Sequence, residues 1–127
     1  MEGKVHTVML VEDDREVGRL VKFLLELEGY RVVSTDVYED VLPLLQETQP
    51  DLMLMDVHVR GKETIDLISR VRVLDSRAAD TVLVMTSARD CYLECLQAGA
   101  DRFIPKPFLP DQIVEEVGCL CEPWSAK

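Results

Sequence analysis

Three carboxylates, a hydroxyl and an ammonium stand at the ends of four apolar runs in this chain. Val8-Met9-Leu10-Val11 stops at Glu12-Asp13-Asp14, and Leu52-Met53-Leu54-Met55 stops at Asp56. Thr86 follows Val82-Leu83-Val84-Met85, and Lys106 follows Phe103-Ile104-Pro105. A short apolar run bounded by a carboxylate reads as a strand whose tip leaves the core. If the four runs are parallel strands of one sheet, these groups converge at its carboxyl end, where open α/β sheets bind ligands. Glu12, Asp13 and Asp56 sum to −3 when ionised, and charges so crowded require compensation. A divalent cation together with Lys106 supplies it. Mg2+ suits the set, because it accepts a few carboxylates, keeps waters and favours phosphate oxygens; Mn2+ is an expected substitute. Lys106 then serves as a mobile point charge toward a phosphoryl oxygen, and the Thr86 hydroxyl donates to another. Asp56 is placed as the nucleophile, since aspartate forms acyl phosphates.

Each of these residues also has a plain structural role. Asp13 or Asp14 could be a helix N-cap, Asp56 a loop carboxylate, Thr86-Ser87 a cap, and Lys106-Pro107 a surface dipeptide. Their conjunction at strand ends, in order, is what favours a site.

The elements that must position them alternate. Val5 to Val11 is the first predicted strand. Val17, Leu20, Val21, Leu24 and Leu27 then recur at helical spacing, with Gly29 where a C-terminal glycine belongs. Arg31 to Thr35 is the second strand. Tyr38 to Glu47 reads as a helix with a late start or a kink, because Pro43 lies inside it. Asp51 to Met55 is the third strand, and Glu63 to Val73 a helix with Ile65, Ile68 and Val71 inward. A polar loop over Asp75 to Asp80 precedes the fourth strand, Thr81 to Met85. The helix Arg89 to Ala98 is closed by Gly99, Arg102 to Ile104 is the fifth strand, and Pro110 opens the last helix, with Ile113, Val114, Val117 and Leu120 on its buried stripe. Strands alternating with helices imply a parallel α/β sheet covered on both faces. A flavodoxin-like (βα)5 fold, in strand order 2-1-3-4-5, sets the Glu12-Asp13 and Asp56 tips side by side.

The chain has the length of one domain, assigned to residues 1–122, with 123–127 as a tail or the start of a linker that includes Trp124. A net charge of −10 argues against direct contact of this domain with nucleic acid or anionic membrane. The sequence shows no bilayer-length apolar stretch and no signal-peptide pattern, so a cytoplasmic location is expected. Cys91, Cys95, Cys119 and Cys121 lack zinc-ligand spacing and read as small apolar residues. His6 reads as a packed or edge residue.

The pieces Val11-Glu12-Asp13-Asp14, Met55-Asp56-Val57, Thr86-Ser87-Ala88, Ala98-Gly99-Ala100-Asp101 and Lys106-Pro107-Phe108 together resemble a response-regulator receiver domain of two-component signalling, over essentially the whole chain. The resemblance implies a phosphoacceptor switch rather than a turnover enzyme, with self-phosphorylation and self-dephosphorylation as its only expected reactions. It implies that Asp56 takes a phosphoryl group from the phosphohistidine of a histidine kinase or a histidine phosphotransfer protein. Mg2+ is then held by Glu12, Asp13, Asp56 and the backbone carbonyl of His58. Thr86 and Lys106 contact the phosphoryl oxygens, and Phe103 is the switch aromatic. The resemblance further implies a cis Lys106-Pro107 bond, and a change relayed to the face of the fourth helix, fifth strand and fifth helix. A homodimer through that face is a family-level expectation.

The loop after Asp56 departs from the family pattern. Val59 stands for methionine, Arg60 for proline, and Thr64 for the usual glycine, which leaves the loop geometry open. His58 either faces solvent or influences hydrolysis of the acyl phosphate. Competing readings are a degenerate receiver acting by protein binding alone, an aspartate-nucleophile phosphohydrolase and a flavin carrier. The phosphohydrolase usually needs a second acid where His58 stands. The flavin carrier needs a hydroxyl- and glycine-rich loop that does not follow the first strand.

Overall fold

The computed structural model describes residues 5–121; the tail reading at residues 123–127, with Trp124, lies outside them. The chain runs β1 (Thr7–Val11), α1 (Arg15–Leu27), β2 (Arg31–Thr35), α2 (Val41–Thr48) and β3 (Leu52–Asp56). A short hairpin, β4 (His58–Val59) and β5 (Lys62–Glu63), follows, then α3 (Ile65–Arg72). The chain continues through β6 (Val82–Ser87), α4 (Tyr92–Ala98), β7 (Arg102–Pro105) and α5 (Pro110–Cys121). Five strands form one parallel sheet in the order β2-β1-β3-β6-β7. Leaving the separate hairpin aside, that is the flavodoxin-like order 2-1-3-4-5.

The three inner strands β1, β3 and β6 are almost continuously apolar because both faces of the sheet are covered there. Successive residues of a strand point to opposite sides, and the core divides accordingly. Val8 and Leu10 of β1 and Leu52 and Leu54 of β3 pack with Val21 and Leu25 of α1 and Ile113 and Val117 of α5. Met9, Val11, Met53 and Met55 pack on the other side with Val41 and Leu45 of α2, Leu67, Ile68 and Val71 of α3, and Cys95 of α4.

The expected helix stops are present, with Gly29 at φ 97° and Gly99 at φ 120°. Pro43 delays its helix as anticipated: Tyr38–Asp40 is a 3-10 turn and α2 begins at Val41, so the proline sits in the first turn, where no intrahelical donor is needed. Several boundaries differ from the sequence reading. β1 starts at Thr7 rather than Val5, whose side chain is exposed. α3 starts at Ile65 rather than Glu63, because Lys62 and Glu63 are taken by the hairpin. α4 starts at Tyr92 rather than Arg89. The loop over Asp75 to Asp80 contains a 3-10 turn at Arg77–Asp80, capped by the Ser76 hydroxyl.

Candidate functional site

The tips of β1 and β3 lie side by side, and the register pairs Asp56 of β3 with Thr86 of β6. The Val57 amide donates to the Thr86 carbonyl at 2.9 Å, which carries the pairing with β6 one residue past the end of β3. Asp56 and Thr86 are both buried, at 8% and 2% exposure. Lys106 enters from the segment after β7, next to a cis Lys106-Pro107 bond. Its ammonium donates to Asp56 Oδ2 at 2.7 Å and to Glu12 Oε1 and Oε2 at 3.0 and 3.2 Å. Glu12 Oε2 also accepts from the Asp14 amide at 3.0 Å. Asp14, not Asp13, caps α1, accepting from the amides of Glu16 and Val17.

Burial raises the Glu12 carboxyl above its ordinary value, against the lowering pull of the Asp14 amide and Lys106. Burial pulls the Lys106 ammonium down, but its hydrogen bonds to Asp56 and Glu12 outweigh that and hold it above the usual lysine value. It therefore stays charged at neutral pH. One oxygen from each of Glu12, Asp13 and Asp56 lies within 4.8 Å of the others, the one such group of potential metal ligands among the described residues. Opposite ligands of an octahedral Mg2+ stand about 4.2 Å apart, so the donors fit a hard cation with little movement. Three carboxylates against one lysine leave a deficit of two positive charges.

The loop after Asp56 is where sequence reading was least informative. It is a hairpin in which His58 pairs with Glu63 and Val59 with Lys62. Arg60 and Gly61 form its turn with φ 50° and 78°, the signature of a two-residue type I′ connection. Arg60-Gly61 flanked by pairing residues was the available signal, weakened because Asn or Asp usually precedes the glycine. Val59 is fully buried, so the hairpin is pinned to the core. The Arg60 amide donates to Asp13 Oδ2 at 2.7 Å, and the His58 amide to Asp56 Oδ1 at 3.1 Å. The His58 side chain is exposed, 4.0 Å from Glu63.

Thr64, noted in the sequence only as standing where glycine is usual, has a role that its spacing did not reveal. It is completely buried, its hydroxyl donates to the Asp56 carbonyl at 2.8 Å, and its amide donates to the Val57 carbonyl at 2.7 Å. Its φ of −105° needs no glycine, which is why threonine is accepted there. Phe103 is half-buried on β7 and meets the exposed Tyr92 ring edge-on, centroids 6.2 Å apart. Cys91 and Cys95 are buried, and burial together with Cys91 pushes the Cys95 thiol up to about 12. Cys119 and Cys121 lie on α5.

Fold and site thus define a doubly wound α/β domain with an acidic pocket and one lysine at its topological switch point. The family model of the response regulator receiver domain matches residues 8–118. This chain belongs to that family, the receiver modules of two-component signalling. It is 35% identical over 116 residues to the transcriptional regulatory protein CpxR of Escherichia coli K12, covering 89% of this chain and 48% of that protein. It is 32% identical over 113 residues to the phosphate regulon transcriptional regulatory protein PhoB of the same strain, covering 87% of this chain and 49% of PhoB. The chain therefore spans about half the length of the curated relatives it matches. Among solved structures, a response regulator from Thermotoga maritima shares 30% identity with a TM-score of 0.79, covering 93% of this chain and 98% of that one. The chemotaxis response regulator CheY4 of Vibrio cholerae, at 21% identity and TM-score 0.83 over 92% and 99%, shares the fold. Among the described residues, no helix is long and apolar enough to cross a membrane.

Proposed function

We propose that this domain is a phosphoacceptor switch in which Asp56 receives a phosphoryl group from the phosphohistidine of a histidine kinase or phosphotransfer protein. The observation that carries the reading is the convergence of Lys106 on Asp56 and Glu12 beside Asp13. A buried carboxylate is held by its neighbours and paired with a cation that can follow transferred charge.

Glu12, Asp13 and Asp56, with the His58 carbonyl, would hold Mg2+. When bound, the cation screens the repulsion between Asp56 and the incoming phosphoryl group and stabilises charge in the transition state. An Asp56 carboxylate oxygen attacks phosphorus, the phosphorus–nitrogen bond of the donor breaks, and the leaving imidazole keeps the electron pair and takes up a proton. Lys106, already 2.7 Å from Asp56 Oδ2, follows the charge onto a phosphoryl oxygen. The Thr86 hydroxyl donates to another oxygen. Phosphorylation adds about two negative charges, and movement of Thr86 opens room for Phe103, changing the face of α4, β7 and α5. Driving such an equilibrium almost fully takes about 5.5 kcal/mol of differential stabilisation.

We extend this reading to a domain over residues 1–122, acting in the cytoplasm, with a homodimer through the α4-β7-α5 face as a further partner. The site is read as supporting only self-phosphorylation and self-dephosphorylation, with no direct nucleic-acid or membrane contact. Mass spectrometry after incubation with acetyl phosphate and Mg2+ tests the central step. One phosphoryl adduct, lost in Asp56→Asn, is expected. No adduct would favour the alternative, a receiver that acts by protein binding alone.

A further inference from the structure

We propose that Arg60 is a positioning residue for the cation ligand Asp13, acting through its backbone amide and held in place by Asp36; this rests on the Mg2+ site proposed above. Arg60 adopts φ 50°, a left-handed conformation that residues with side chains rarely hold. Such strain persists where the surroundings over-determine it, and it gathers at functional sites.

Two contacts of Arg60 point at its role. Its amide donates to Asp13 Oδ2 at 2.7 Å, and its guanidinium donates to Asp36 Oδ2, also at 2.7 Å, just past the end of β2. That ion pair holds the Asp36 carboxyl below its usual value and the Arg60 guanidinium above its own. The rest of the hairpin is fastened as well. Val59 is fully buried, Lys62 pairs with Glu39 and lies 5.4 Å over the Tyr38 ring, and Arg89 reaches Glu63 at 2.9 Å.

The proline usual in the family at this position could not do this. Its ring fixes φ near −65° and it carries no N–H. A residue with a free N–H at position 60 therefore shapes the site itself. It places a backbone donor on one oxygen of Asp13 and leaves the other oxygen to serve the cation. Carboxylate ligands are commonly oriented by such outer hydrogen bonds, and losing one weakens metal binding.

A purely electrostatic role predicts the opposite sign. Arg60 is a cation next to a cation site, so neutralising it should tighten Mg2+ binding if charge alone matters. If its task is to hold the turn, the same change should loosen binding. The experiment is Mg2+ titration by calorimetry on the intact chain, for the wild type, Arg60→Gln, Arg60→Lys, Asp36→Asn and the double variant Arg60→Gln/Asp36→Asn. Hydrogen exchange of the residue-60 amide is followed in each.

The exposed pair is a modest anchor, so Arg60→Gln and Asp36→Asn should each weaken Mg2+ binding by about threefold. Their combination should add little, Arg60→Lys should recover part of the loss, and the residue-60 amide should exchange faster in both single variants. Equal or tighter Mg2+ binding in Arg60→Gln overturns the proposal while leaving the site intact. A wild type that takes up no Mg2+ at millimolar concentration overturns the site reading and this proposal together.

Discussion

Asp56, Thr86 and Lys106 stand on or just beyond sheet strands whose neighbours fix them, whereas Asp13 faces a two-residue turn held by surface ion pairs. On the strand side, Asp56 and Thr86 are in register and almost completely buried. On the hairpin side, Arg60, Lys62 and Glu63 are exposed, and only Val59 reaches the core. The difference separates a half fixed by register and burial from a half held by exposed side chains. On the proposed function, sheet register sets where Asp56 would meet a phosphoryl group, and the hairpin would orient Asp13 without disturbing that register.

Substitutions at four positions test this contrast. Lys106→Ala leaves Glu12 and Asp56 partly buried without their cation, and should cost about 3 kcal/mol. Thermal unfolding should show much of that loss restored by Mg2+; a loss indifferent to Mg2+ would mean that the lysine does not balance this charge. Thr64→Val removes the hydroxyl that satisfies the buried Asp56 carbonyl, with an expected cost of about 2 kcal/mol. Thr64→Ser should recover most of it in urea unfolding. Gly61→Ala places a side chain at φ 78° and should cost about 1 kcal/mol. Its amide shifts should stay within the hairpin and Asp13, so shifts spreading into β3 would erase the distinction between the halves. Lys62→Ala breaks an exposed pair with Glu39 and should leave the urea unfolding midpoint almost unchanged; a clear drop would mean that surface pairs hold the hairpin as firmly as burial holds the strands.

The strand side of the site was legible in the sequence for a physical reason. A strand buried on both faces is a run of apolar residues, and the polar residue that ends it marks the tip. Glu12, Asp56, Thr86 and Lys106 each announce themselves that way. The helix stops at Gly29 and Gly99 were equally plain, and Pro43 gave its own warning. The hairpin was hidden because its strands are two residues each, too short to show alternation, and because arginine is an unusual first residue for this turn. Thr64 was noticed only for standing where glycine is usual; its role was hidden because its task is a hydrogen bond to a backbone carbonyl, which leaves no trace in residue spacing. The Arg60 amide is still less visible, since every residue but proline carries an N–H. What could be read was that proline is absent.

The central claim is that Asp56 carries the phosphoryl group in a pocket that Mg2+ and Lys106 neutralise. A crystal structure of the protein with Mg2+ and beryllium fluoride, a phosphoryl mimic, tests it most directly. Beryllium is expected on an Asp56 carboxylate oxygen, with Thr86 and Lys106 on the fluorines and the cation among Glu12, Asp13, Asp56 and the His58 carbonyl. Neither beryllium fluoride nor cation in the pocket, with Lys106 still bridging Asp56 and Glu12, would contradict it.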